Sequence, residues 1–94
     1  MPFMIDKNPA FDDSLFTILK YIANDSPNNA RKFKSKIDRT IKNLSNMPFK
    51  FRKSHYYKSE NVRDLIFKGY TIPYVIDSEK YKIVVLDIFK WSDR

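Results

Sequence analysis

No cysteine occurs in this chain, so neither a disulfide staple nor a thiolate metal centre is available to it. The same absence suits a reducing compartment, and a cytoplasmic protein is expected. Glycine is almost missing as well: Gly69 stands alone, so no glycine-rich loop can cradle a phosphate. One histidine, His55, leaves zinc without a donor set, and no serine sits in the strained turn that a Ser-His-Asp triad uses. No apolar run approaches the roughly 20 residues that span a bilayer. The start Met-Pro-Phe-Met-Ile-Asp lacks the basic region and long apolar core of a signal peptide. No cofactor, no metal and no membrane partner are therefore expected. Acid is scarce in one place above all. Residues 31–58 hold ten basic side chains against the single acid Asp38, a net of +9, whereas the other 66 residues hold eight basic and ten acidic ones. Such a concentrated field attracts polyanions or acidic protein segments, although a solvated helix face is the plainer reading.

Enough apolar residues remain for a fold: 43% of the chain is hydrophobic and 16% aromatic, which argues against wholesale disorder. Ninety-four residues fit a single domain, 1–94, that must commit nearly all its apolar side chains to one core. Asn8-Pro9 is a helix start, with Asn as cap, Pro in the first turn and Asp12 and Asp13 favourable to the helix dipole. Phe11, Leu15, Ile18, Leu19 and Ile22 then recur at three- and four-residue spacings, until Asn24-Asp25 ends the helix. Ser26-Pro27 repeats the start signal. Ala30, Phe33, Ile37, Ile41 and Leu44 form the stripe of a second helix running to about Asn46, with its basic residues on the outside. Two amphipathic helices with almost no linker predict an antiparallel helix hairpin.

Met47-Pro48 stops the second helix and opens the loop Phe49-Lys-Phe-Arg-Lys-Ser-His-Tyr-Tyr-Lys58, in which aromatics and cations interleave. Such a loop can stack on bases while neutralising phosphates, or can plug the core beneath a solvated rim. Strands are predicted near 54–58, 62–68, 70–76 and 81–89, with a weak first strand in 2–7 and Asp77-Ser-Glu-Lys80 as a turn. Gly69 marks a hairpin at a position needing positive φ, and Pro73 predicts an edge or a bulge because it cannot donate to a ladder. The last strand is apolar on both faces for much of its length and belongs near the middle of the sheet. The expected fold is α+β, a helix hairpin packed on an antiparallel sheet of three to five strands.

What is left for chemistry is cations and tyrosines. Lys50, Arg52, Lys53 and Arg63 are the candidate catalytic residues for a metal-independent endoribonuclease, since cations can hold a phosphate backbone and stabilise a phosphorane. Lys68, Tyr56, Tyr57, Tyr70 and Tyr74 lie in the same region. Composition leaves catalysis and plain binding both open.

The two helices, the Met47-Pro48 break, the basic loop, Asn61-Val-Arg-Asp-Leu65, Lys68-Gly-Tyr-Thr-Ile-Pro-Tyr74 and Ile83-Val-Val-Leu-Asp-Ile-Phe89 together resemble the RelE/ParE toxin superfamily of type II toxin–antitoxin modules. The resemblance implies a small toxin, associated with growth inhibition and plasmid stabilisation and neutralised by a cognate antitoxin with an acidic segment. RelE-like members cut mRNA on the ribosome; ParE-like members poison DNA gyrase by binding. The RelE-like branch has an arginine after its Gly-Tyr pair, where this chain has Thr71, and an arginine past the final strand, where it has Lys90-Trp91. The resemblance is therefore closer to ParE-like members, and an enzyme is not expected. The alternatives are a ribosome-dependent mRNA endonuclease and a non-toxic basic binding module. Under the toxin reading, Lys34, Arg52, Lys53, Tyr57, Arg63, Tyr70 and Trp91 are the candidate residues for binding target or antitoxin.

Overall fold

The structure, a computed structural model, describes residues 2–90. Strand β1 (Met4–Lys7) leads into helices α1 (Pro9–Asp25) and α2 (Pro27–Asn43), followed by β2 (Val62–Phe67), β3 (Tyr70–Asp77), β4 (Lys82–Val85) and β5 (Phe89–Lys90). Asn8 caps α1 by accepting from the Ala10 N–H at 3.1 Å. Ser26 serves both helices at once. Its N–H donates to Ile22 O at the end of α1, and its hydroxyl accepts from the Asn29 N–H at the start of α2. One residue thus satisfies backbone groups that two helix ends would otherwise leave orphaned.

The strands form one sheet in the order β1-β4-β3-β2, with β5 continuing along β3 beyond β4. Phe11 and Leu15 of α1 and Phe33, Ile37 and Ile41 of α2 share a core with Leu65, Ile72, Tyr74, Ile76, Ile83 and Val85 of the sheet. Each fully buried aliphatic side chain among them contributes about 1.5–3 kcal/mol. Phe33 stands edge-on to both Phe67 and Tyr70, at 5.5 and 5.6 Å, and so fixes α2 over the tip of the β2–β3 hairpin. Ser14 of α1 donates to Asp87 at 2.8 Å, holding α1 to the segment between β4 and β5.

The α+β layout is as the sequence predicts, and four details differ. The sheet is mixed rather than antiparallel, because β1 runs parallel to β4 in the register Met4↔Lys82 to Lys7↔Val85. A strand at 54–58 does not form; there is a single bridge between Lys53 and Arg63 instead. Helix α2 ends at Asn43 and finishes in turns through Asn46. The expected strand 81–89 is broken: Tyr81 has φ 51° and lies outside it, and β4 and β5 are separated by Leu86–Ile88.

That last break has a local cause. Between the pairs Tyr74↔Val85 and Thr71↔Phe89, β3 has two residues, Ile72 and Pro73, where its neighbour has three. Pro73 has no N–H to offer, and the facing chain bulges there while the Leu86 N–H donates to Pro73 O at 2.8 Å. The hairpin tip behaves as expected. Lys68 and Gly69 have φ 49° and 84° between the paired Phe67 and Tyr70, the arrangement of a two-residue turn with both central residues left-handed. Among the described residues, no helix is long and apolar enough to cross a membrane.

Candidate functional site

The basic loop between α2 and β2 is held to the sheet by two side chains on its core face. In the register of β2 and β3, Arg63 lies directly opposite Tyr74. The Tyr74 hydroxyl donates to Pro48 O at 2.7 Å, and the ring is wholly buried. Burial pushes its pKa up to about 12, against the opposing pull of the nearby Arg63 charge. The Arg63 guanidinium donates to Phe51 O at 2.8 Å and to Phe49 O at 3.4 Å, and lies 5.2 Å from the Phe49 ring centroid. Arg63 is thus a clamp on residues 49–51. Its charge is spent on two carbonyls and a ring, a weaker position for contacting a phosphate than the sequence alone allows.

The opposite face of the β2–β3 pair is covered by residues 52–57. Asp64 and Thr71 lie there, at 0% and 1% exposure. The Asp64 N–H donates to Arg52 O, while its carboxylate accepts from the His55 N–H at 3.1 Å; the other carboxylate oxygen is buried without a partner. The ring of Tyr56 stands edge-on to Phe89 at 5.2 Å. A cleft of about 350 Å³ remains, lined by Arg52, His55, Tyr56, Ile66, Gly69 and Thr71.

The four candidate catalytic residues have different surroundings, although a backbone bridge pairs Lys53 with Arg63. Lys50 is exposed with its ammonium 5.6 Å from the Phe51 ring, Lys53 lies 3.6 Å from Glu60, and Arg63 clamps the loop. Arg52 alone is exposed and borders the cleft. Of the candidate binding residues, Lys34 is paired with Asp38 at 2.7 Å, Tyr57 is half-buried with its N–H on Ser54, and Tyr70 is half-buried against Phe33 with Lys90 6.0 Å over its ring. Trp91 lies outside the described residues. Among the described residues, no three acidic, histidine or cysteine side chains gather as a metal site.

Two features escape the sequence reading. One is Asp64, a buried carboxylate in an apolar strand; it shares its face of β2 with Val62 and Ile66, and that apolar company is the signal. The other is Phe16, which with Leu19, Ala23, Pro27 and Ala30 walls a groove of about 520 Å³ along the helix hairpin, edged by Lys20, Arg31 and Lys34. Phe16 is 68% exposed and off the core stripe of α1, so it has no packing role within the fold.

The family described as the ParE toxin of the type II toxin–antitoxin system parDE matches residues 5–93. This chain belongs to the ParE toxin family. Among solved structures, the ParE-family fold seen here is similar to a chain of the chromosomal ParDE system from P. aeruginosa, with a TM-score of 0.74, 18% identity and coverage of 94% of this chain and 95% of that one. It is also similar to a chain of the RelBE2 toxin–antitoxin complex from Mycobacterium tuberculosis, with a TM-score of 0.67, 16% identity and coverage of 96% and 99%. No curated protein sequence matches it.

Proposed function

We propose that this ParE-family chain is a toxin that stops growth by binding an essential target rather than by cutting RNA. DNA gyrase is the target the family suggests. The observation that carries this reading is the engagement of Arg63 and the closure of Thr71 and Asp64 beneath residues 52–57. Acid–base cleavage of a phosphodiester asks for several ionisable groups converging on one reacting atom. Here Arg63 is committed to the loop backbone, while Lys50, Arg52 and Lys53 are exposed and of these only Arg52 borders the cleft. Purified protein added to gyrase and relaxed plasmid should block supercoiling or trap a cleavage complex; unimpaired supercoiling at a large molar excess overturns the gyrase assignment.

Neutralisation is assigned to the groove of the helix hairpin. Apolar walls with Lys20 and Arg31 at the rim, beside a Lys34 paired with Asp38, fit an amphipathic acidic segment of a cognate antitoxin, its apolar side chains seated on Phe16, Leu19 and Ala30. Both structural neighbours come from toxin–antitoxin systems, which supports a partner of that kind. Affinity should fall as salt rises, because the rim charges are exposed. A salt-independent affinity would remove the acidic rim contacts from this picture.

The second reading, a ribosome-dependent mRNA endonuclease, draws on one observation: exposed Arg52 beside the cleft that holds His55 and Tyr56. Primer extension on messages from expressing cells should show no codon-phased ends. Phased cuts lost on Arg52→Ala would replace the gyrase reading with this one.

A further inference from the structure

Helix α2 carries two populations of basic residue. Arg31 and Lys34 edge the groove, and Lys34 is already neutralised by Asp38. Lys32, Lys36, Arg39 and Lys42 are all exposed and stand elsewhere on the helix. At about 100° per residue these four fall in an arc of about 120°, roughly opposite the buried line Ala30, Phe33, Ile37, Ile41, and span about 15 Å of helix axis. The ion pairs among the described residues are Lys34–Asp38, Lys53–Glu60 and Lys82–Asp6, so none of the four has a described acid at ion-pair distance.

We propose that this outer face of α2 binds the phosphate backbone of double-stranded nucleic acid without reading its sequence. The residues interspersed on that face are Asn28, Ser35 and Asn43. It offers no aromatic platform for unstacked bases, which single-strand binding uses. Nor does it offer the apolar or aromatic anchor that gives a protein interface its affinity. A membrane surface calls for an apolar helix face, and that of α2 is committed to the core. Four long cationic side chains on a rigid rod remain. A duplex presents roughly nine phosphates over about 15 Å of its axis, so each cation has a partner within reach. The face is separate from the apolar groove, and the chain can occupy both at once. The proposal goes beyond the toxin reading and does not depend on which target the toxin has.

The test is fluorescence anisotropy of the full chain with labelled DNA duplex, RNA duplex and single strand of about 30 nucleotides. Binding of a duplex should weaken by about a hundredfold between 50 and 200 mM salt, as about four neutralised phosphates require. The variant carrying Lys32→Gln, Lys36→Gln, Arg39→Gln and Lys42→Gln should lose at least about tenfold in affinity and most of that salt slope. A companion with Lys7→Gln, Lys58→Gln, Lys80→Gln and Lys90→Gln, exposed cations outside α2, has the same charge removed and should lose less than about threefold. Whichever duplex binds more tightly identifies the source of the phosphates. Equal loss in the companion variant, tighter binding of single strand than of either duplex, or displacement by polyglutamate at equal charge overturns the proposal; the last result would name an acidic protein instead. Circular dichroism of each variant separates lost binding from lost folding. Gyrase inhibition is not a readout here, so failure leaves the toxin reading untouched.

Discussion

Four basic side chains on α2 stand in water with no ion-pair partner among the described residues, whereas the loop that follows α2 is fastened through its backbone and aromatics to Arg63, Asp64 and Tyr74 of the sheet. The helix hairpin does not draw on these four charges. Its apolar stripe and its caps hold it, so the outer surface is free to carry a field. The loop is different, because residues 44–61 contain no regular element among the described residues and need anchors. Tyr74 holds Pro48, Arg63 holds Phe49 and Phe51, and Asp64 holds the backbone of His55. The charges that fasten the loop therefore come from β2, in Arg63 and Asp64, and not from the +9 window, whose loop cations Lys50, Arg52, Lys53 and Lys58 are exposed.

The largest effect should come from breaking the loop's anchor by pH. Tyr74 titrates near 10 when unfolded and near 12 in the fold. Below pH 10 both states keep the proton and the full contribution stands. Between pH 10 and about 12 the unfolded chain releases it while the fold cannot, and stability falls by up to about 3 kcal/mol. Urea melts of the parent against Tyr74→Phe should converge as pH rises through this window. Parallel curves would show that the buried hydroxyl is not what makes the loop alkali-sensitive.

Arg63→Ala comes next. Losing a charge-assisted hydrogen bond to Phe51 O and the packing on Phe49 should cost about 2 kcal/mol, while Arg52→Ala, exposed and outside the clamp, should stay within about 0.5 kcal/mol. Equal costs would erase the distinction between the structural cation of β2 and the available one of the loop. If Arg63→Ala removed toxicity with stability unchanged, the residue would belong to the target site instead.

These contrasts also show what a sequence can carry. Gly69 and Pro73 are legible because each has a backbone constraint that acts within its own strand, whatever lies around it: one tolerates positive φ, the other has no donor. The helix stripes are legible because their period is local. The direction of β1 is not, since four residues with little pattern say nothing about which neighbour they join or in which sense. The double role of arginine is hidden for a similar reason. Arg63 and Arg52 look alike in the chain, and only tertiary contact gives one of them two carbonyls and a ring. Phe16 looks like an ordinary helix residue because a groove exists only once both helices are in place.

On the helix side the test is binding rather than stability. Phe16→Ser should lower antitoxin affinity by about tenfold, the worth of one exposed aromatic anchor, and leave the urea midpoint almost unmoved because the ring is 68% exposed. Isothermal titration with the antitoxin segment measures the first and a denaturant melt the second. A large stability loss with unchanged affinity would mean that the groove belongs to the core after all.

The smallest effect is expected at the hairpin tip, and there the two regions meet in one residue. Lys68 is an exposed cation like those of α2, yet it occupies a left-handed position that costs a branched or long side chain energy, with its ammonium 5.8 Å from the Phe67 ring. Asn tolerates that conformation and is a favoured partner of glycine in this turn. Lys68→Asn should stabilise the fold by about 0.5–1 kcal/mol in a urea melt, since relief of backbone strain exceeds a weak exposed cation–π contact. If the gain comes with unchanged growth inhibition, the charge at the tip is incidental. If it comes with lost inhibition, Lys68 is retained at the expense of stability because the tip touches the target, and the division between available and structural cations would have to extend across the sheet.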